Sequence, residues 1–356
     1  MKKVLLIAVA SVLAISMAVV GCAPPDGDEG IELTVSQFFP PPPASLSSIL
    51  WQYFADNVTE RTDGLVTFDV SWGGALASPP EHIDLIQSGA VDMTHIHLWF
   101  TPDRVPIADF ELVFPFGPTD PVLLQTAKKQ MYDEFPEFHE ELADNNAVII
   151  MLHAITPYEI MSKQPVNNIT DLDGMKVGII GEFFGRWFEP TGAVPVVAPS
   201  SDRYTMLQTG VIDGDILNID LSRTFKTYEV TQYITDNQLT SHCAVEIIMN
   251  KDTWDSLDTD IQDIILEVAE EVSAYYATNT LPDYIDETLQ LFADEGLTTT
   301  QLSQGDIVQW ASLIDDIPAE WAASVEADGY PGYEIIARWQ NITAELGFNW
   351  SRHWGP

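Results

Sequence analysis

Two histidines, His95 and His97, stand two residues apart at the end of an apolar run, with Trp99 and Phe100 directly after them. An i, i+2 pair on a strand shares one face of the sheet. Such a pair can ligate a metal, but no third partner at ligand spacing is identifiable, and metal sites need fuller sets. Strand C-terminal ends line clefts in α/β folds, so His95, His97 and Trp99 read as cleft residues. Phe38 and Phe39, just past the first strand, follow the same logic. A second group is Phe183-Phe184-Gly185-Arg186-Trp187-Phe188, where 183/187 and 184/188 make two adjacent i, i+4 pairs on a short helix. One pair can face the core and the other a ligand, since binding pockets are rich in aromatic side chains. Catalytic signatures are missing: there is no G-x-S-x-G elbow, H-E-x-x-H, phosphate loop or G-x-G-x-x-G after a strand. His139-Glu140-Glu141 reads as a charged helical face. The chain reads as a binding protein rather than an enzyme, with no metal or cofactor.

Elements must hold these residues in place. Ile31–Ser36 is a short strand, stopped by the prolines at 40–43, which cannot continue a ladder. Leu46, Ile49, Leu50, Tyr53, Phe54 and Val58 recur at helical spacing and predict a helix from Ser45. Strands are predicted at Val66–Trp72, Ala90–His95, Ala147–His153, Lys176–Ile180 and Val194–Ala198. Helices fall between them at Pro80–Gln87, Pro121–Glu134, Glu182–Glu189 and Asp202–Thr209, the last with Ser201 as N-cap. That alternation predicts βαβ units and a mainly parallel sheet. Val211–Leu217 is extended, with Gly210 and Gly214 bracketing a turn where positive φ is easily met. Val245–Asn250 reads as a strand returning to the first domain. From Thr259 the pattern is helical for about thirty residues, roughly 45 Å at 1.5 Å per residue, enough to span two domains. Ile261, Ile264, Ile265, Val268, Val272 and Tyr275 line one face, and Pro282 predicts a kink. Further helices at Ile307–Ile314 and Tyr333–Leu346 precede an aromatic tail.

With 356 residues the chain can build two domains. Its 54 acidic against 15 basic residues give a formal charge of −39, which excludes nucleic acid as a partner and repels anionic lipid. The acids are dispersed and 46% of residues are hydrophobic, so the charge belongs to the surface of a packed protein rather than to a disordered one. Lys2-Lys3, the uncharged run Val4–Val20 and then Gly21-Cys22 predict a signal peptide cleaved before a lipidated Cys22. A membrane-spanning anchor suits so short a run poorly. Ala23–Gly30 follows as a flexible tether. Cys243, the other cysteine, sits among apolar residues and reads as a buried small hydrophobe.

Three stretches resemble the solute-binding subunits of TRAP (tripartite ATP-independent periplasmic) transporters, of the dicarboxylate-binding type. They are Gly73-Gly74-Ala75-Leu76 with Glu81 and Ile86–Asp92; Phe114-Pro115-Phe116; and Leu172–Val177 with Gly192–Val196, Tyr204–Gly214 and Tyr228-Glu229-Val230. Order and spacing together carry the resemblance, which spans about residues 31–295. It implies an α/β, two-lobe periplasmic-binding-protein-like fold with mixed sheets, crossing strands and one long interlobe helix. After the signal peptide (1–21) and the tether (22–30), lobe I would take 31–154 and 242–279, and lobe II 155–241 and 280–306. Helices in 307–356 would pack on lobe I. The implied role is extracytoplasmic capture of a small organic solute in the interlobe cleft and delivery to membrane permease subunits, from a lipid anchor at Cys22.

The resemblance also marks a departure. Two residues after Lys176 the family carries an arginine that clamps the ligand carboxylate as a bidentate fork, and here the residue is Gly178. A second arginine position corresponds to Tyr158, and the family asparagine after the Asp-Gly pair to Leu217, with Asn218 one step on. Three replacements are open. Arg186 or Arg203 can supply the cation. A metal held by Glu182 or Asp215 can bridge to an anion. Or the solute is not a simple carboxylate, and Phe183, Phe184 and Trp187 hold it, which is the reading favoured here. An ABC-type or receptor-linked solute-binding lipoprotein shares the two-lobe plan but not the long crossing helix, and a lipid-anchored hydrolase would need a nucleophile–base pair that is missing.

Overall fold

In the first strand, β1 (Ile31–Gln37), Leu33 and Val35 are buried while Glu32 and Thr34 are exposed, the alternation of a sheet with one face on a core. The computed structural model describes residues 30–243 and 245–356; the expected signal peptide, the lipidation site Cys22 and the tether up to Glu29 lie outside the described residues. The remaining strands are β2 (Val66–Ser71), β3 (Met93–Ile96), β4 (Ala147–His153), β5 (Tyr158–Ser162), β6 (Lys176–Ile179), β7 (Val194–Val197), β8 (Gly214–Asn218), β9 (Tyr233–Thr240), β10 (Val245–Asn250) and β11 (Thr298–Gln301).

They form two sheets, β2-β1-β3-β10-β4 in lobe I and β11-β9-β5-β8-β6-β7 in lobe II. The chain crosses between them from β4 to β5 and back from β9 to β10. Each sheet is mainly parallel, as the strand–helix alternation predicts, with a single strand reversed in each. β10 is antiparallel to both β3 and β4, and β5 is antiparallel to both β8 and β9. The reason is the crossings: a strand that enters from the other lobe is free of the crossover-helix constraint that keeps βαβ neighbours parallel. Val245–Asn250 does return to the first sheet.

The long helix runs Thr259–Tyr275, passes through a π turn at Tyr276–Thr280 and continues as Leu281–Asp294. Pro282 lies in the first turn of the second half, where its missing N–H and its ring disturb the i to i−4 ladder, and the wider turn accommodates both. The buried tyrosine is not the expected one. Tyr275, expected on the apolar face, is 55% exposed, and Tyr276 is 3% exposed.

Gly210 caps the helix Arg203–Thr209 at φ +77°, a left-handed conformation. Gly214 has no positive φ; it opens β8, where a Cβ would come within 2.8 Å of the Met161 carbonyl oxygen. Ser201 is no N-cap, because Ser200–Asp202 forms a 3-10 turn that runs straight into the helix. Nor is Glu141 solvated: it turns inward from the helix Glu137–Asp144 and accepts from the Ile107 N–H at 3.0 Å. Cys243 is buried with a free thiol. Trp310, on the helix Gln304–Leu313, packs edge-on against Phe116 at 5.2 Å and Phe188 at 5.0 Å, and Trp339 packs edge-on against Phe110. The C-terminal helices therefore touch both lobes.

Candidate functional site

The strand ends of the two sheets face each other across a cleft. On the lobe I side β1 delivers Phe38 and Phe39, and β3 delivers His95 and His97. Phe39 lies over both histidines, with ring centroids 5.1 Å from His95 and 5.8 Å from His97, so the pair does share a face. Their roles differ with depth. His95 is fully buried, and its Nε2 stands 2.9 Å from Nε2 of His153. His153 uses Nδ1 on the Ala154 carbonyl at 3.1 Å, so its Nε2 is the acceptor and the His95 Nε2–H the donor. Burial pushes both imidazoles down, His153 to about 3, and both are neutral. His95 is thus a core residue under the cleft floor, a correction to its expected place on the ligand, while His97 reaches the cleft.

Beyond His97 the chain lays down a shelf of rings. Trp99 stacks on Phe100 at 4.6 Å, and Phe38 meets Phe100 edge-on at 5.8 Å. A Cβ added to Gly181, in lobe II, would stand 4.0 Å from Trp99 Cζ3, so the shelf reaches across to the facing lobe. Buried carboxyls anchor the shelf from below. Glu246 accepts from the Leu98 N–H at 3.2 Å, and Asp109 faces the Trp99 N–H. Burial pushes Asp109 up to about 7, with Lys128 opposing it, and raises Glu246 well above the usual carboxylate range.

Lobe II supplies the other wall. Asn218 ends β8 and caps the short helix Ile219–Thr224 by accepting from the Leu221 N–H at 2.8 Å. Phe39, His97 and Tyr276 on one side and Asn218, Asp220 and Leu221 on the other enclose a cavity of about 30 Å³, with Thr156 between them. That is room for a water or two and not for a solute, which enters only when the lobes part. Asp220 and Tyr276 were missed in the sequence. Tyr276 carried a signal, since it stands four residues after Val272 on the apolar face, and Asp220 follows a strand end where clefts form. A larger groove of about 790 Å³ runs along β4 between Val122, Lys129, Leu266 and Glu270. Its walls come from lobe I and the adjoining half of the long helix, so filling it would not draw the two sheets together.

The remaining expected residues sort by burial. Tyr158 opens β5, stacked on His242 at 5.5 Å and tilted against Phe184 at 4.9 Å, at the junction of the lobes. Phe183 is half-buried. Trp187 is 0% exposed; it packs against Phe184 and its carbonyl accepts from Trp310 Nε1 at 2.7 Å, which makes it core and corrects its expected contact with ligand. Leu217 is likewise buried within β8, paired with Glu159 of β5, and does not line the cavity. Arg186 is engaged on Glu320 at 2.9 Å and Asp315 at 3.9 Å, away from the cleft, which removes it as an anion clamp.

Arg203 does occupy the place left by Gly178. A Cβ on Gly178 would overlap Arg203 Nη1 and come within 2.8 Å of Ile212 Cδ1. Nε and Nη2 donate to the Ala198 carbonyl at 3.2 and 2.8 Å, and Nη2 also to the Ile179 carbonyl. Nη1 is buried without a hydrogen-bond partner among the described residues, as are both Asp215 oxygens. Asp215 stands beside Gly178 in the β6–β8 register, and burial pushes it up to about 7 against the pull of Arg203. Among the described residues no group of three or more His, Cys, Asp or Glu is assembled that could hold a metal ion, and the Glu182 side chain lies outside the described residues.

The sequence profile of the family described as bacterial extracellular solute-binding protein, family 7, matches residues 41–324. The chain is 29% identical over 231 residues to a solute-binding protein of Sulfitobacter sp. (strain NAS-14.1), covering 62% of this chain and 67% of that one. It is 26% identical over 297 residues to the C4-dicarboxylate-binding periplasmic protein DctP of Rhodobacter capsulatus, covering 82% and 85%. A TRAP periplasmic solute binding protein from Desulfovibrio salexigens, solved as an open complex, superposes with a TM-score of 0.80 at 21% identity, covering 90% of this chain and 97% of that one. The two-lobe fold is shared, and the TRAP reading stands over the ABC-type alternative.

Proposed function

Because the chain belongs to the bacterial extracellular solute-binding protein family 7, the solute-binding subunits of TRAP transporters, we propose that it captures its small organic solute between the Trp99 shelf and the β8 end and hands it to membrane permease subunits. The observation that carries this reading is the cavity walled by Phe39, His97 and Tyr276 from one side and by Asn218 and Asp220 from the other. A solute touching both walls favours the closed arrangement by the free energy of the contacts it adds there. The ring shelf supplies apolar, sequence-tolerant contact, while no guanidinium fork faces the cavity, so a simple dicarboxylate is not the expected cargo. No catalytic step is assigned. Residues 1–21 act as a signal peptide, and a lipid on Cys22 holds the protein at the extracytoplasmic membrane face.

A thermal-shift screen with acidic, neutral and cationic metabolites tests the capture role. Hits should lose most of their stabilising effect in Phe39→Ala and Trp99→Ala; hits with unchanged affinity in both would place binding elsewhere. Cys22→Ser should move the protein from the membrane to the soluble fraction, and continued membrane retention would rule out the anchor.

A further inference from the structure

The geometry points to Asp220 as the seat of a positively charged nitrogen on the captured solute, an assignment that rests on the interlobe cavity being the solute site. Asp220 is the second residue of the short helix after β8, held in place by its backbone N–H, which donates to Thr156 Oγ1 at 3.0 Å. Its Oδ1 accepts from the Tyr284 hydroxyl at 2.6 Å. No described residue donates to the other oxygen, and no lysine or arginine forms an ion pair with the carboxylate among the described residues. Arg223, whose charge favours the ionised form, lies over the Tyr284 ring at 4.9 Å and bonds Thr288 Oγ1 at 2.9 Å instead. A half-buried carboxylate with one oxygen unanswered and lining a cavity is open to a cationic donor.

The rest of the cavity fits that donor. Phe39 and Tyr276 line it from lobe I, and aromatic faces attract cations, more strongly when desolvated. No lysine or arginine lines it, so a cation meets no repulsion, whereas an anionic group would stand against Asp220. The enclosed volume of about 30 Å³ suits a small head group such as an ammonium, with the remainder of the solute lying towards the Trp99 shelf once the lobes part. Arg203 does not line this cavity. The formal charge of −39 also draws cations towards the protein and turns anions away.

The test uses three probes of one shape and different charge, benzylamine, benzyl alcohol and benzoate, titrated calorimetrically into the mature protein and its Asp220→Asn variant. Benzylamine should bind at least tenfold more tightly than the other two, and Asp220→Asn should remove that preference while keeping an acceptor for Tyr284. Equal or tighter binding of benzoate to the wild type overturns the assignment without any variant, as does an undiminished ammonium preference in Asp220→Asn. If a broad metabolite panel binds but shows no preference for cationic members, Asp220 alone loses its role. If nothing of any charge binds, the solute-capture reading fails and takes this assignment with it.

Discussion

Arg203 fills the space that glycine leaves at position 178. Its guanidinium reaches across from the helix Arg203–Thr209 and lies against β6, tied to the carbonyls of Ile179 and Ala198. A cation is thus present near the position where the family resemblance expects one, but it is spent on backbone and on the field of Asp215. Losing the side chain at 178 and lodging Arg203 there are one structural change.

The two positions should therefore be coupled. Gly178→Ala should cost about 1–3 kcal/mol, the usual range for overpacking. In an Arg203→Ala background the same change should cost less than about 1 kcal/mol, because the clashing group is gone. Urea denaturation of the four proteins measures the cycle, and additive effects would show that the two side chains do not compete for one space.

Trp187 and Trp99 should respond in opposite ways. Trp187→Ala empties a fully buried site and should destabilise the protein by about 3–5 kcal/mol, visible as a large fall in Tm. Trp99→Ala, at a half-exposed ring on the shelf, should cost under about 2 kcal/mol yet weaken solute binding severalfold. Paired melting curves and titrations separate the two.

Stability should carry opposing pH dependences. Asp109 and Asp215 have folded pKa values raised to about 7, so the fold binds more protons than the unfolded chain between about 4 and 7. Their contribution is full below pH 4 and lost as pH rises through 7. His153, lowered to about 3, does the reverse: its contribution is present above about 6.5 and lost as pH falls towards 3. Asp109→Asn should gain stability at pH 7 relative to pH 5 when compared with wild type, and His153→Gln should flatten the acid side. Denaturation midpoints across pH 3.5–8 test both, and unchanged slopes would count against the buried carboxyl and imidazole assignments.

Lys128 should be the least dispensable surface-type residue in the core. Its Nζ sits 2.6 Å from Glu111 Oε2, with both side chains almost completely buried, and it also bonds the Ala108 carbonyl. Lys128→Met should cost about 3–5 kcal/mol by stranding the Glu111 charge. Glu111→Gln added to it should recover part of that loss, read from the same denaturation curves.

The helix and strand periods made most elements legible in the sequence, because each depends on local spacing. The long helix and the return of Val245–Asn250 to the first sheet were readable in the same way. The antiparallel set of β10 was not, since it follows from a lobe crossing rather than from any local pattern. Trp187 and Phe184 have equivalent sequence credentials for the cleft, and only the packing of Trp310 from more than a hundred residues away decides that Trp187 is core. His95 lost its cleft role for a similar reason, its partner His153 lying on β4, a strand two positions away in the sheet. Asp220 was overlooked because a single acid in a chain with 54 of them carries no signal until the cavity it lines is seen.

The π turn at Tyr276–Thr280 has a geometric consequence for the whole molecule. One surplus residue in a helical turn advances the phase of everything beyond it by about 100°, the angle per residue of an α-helix. Before the turn, Ile261, Ile265, Val268 and Val272 belong to the main core on the lobe I side; after it, Phe292 joins the separate cluster of Met161, Ile219 and Ile234 in lobe II. The burial spacing widens to five residues there, from Tyr276 to Leu281, and then resumes the helical period through Thr288 to Phe292. The wider turn takes up the surplus residue, so one uninterrupted segment keeps its buried side against both lobes, with Tyr276 lining the cavity where the wide turn begins.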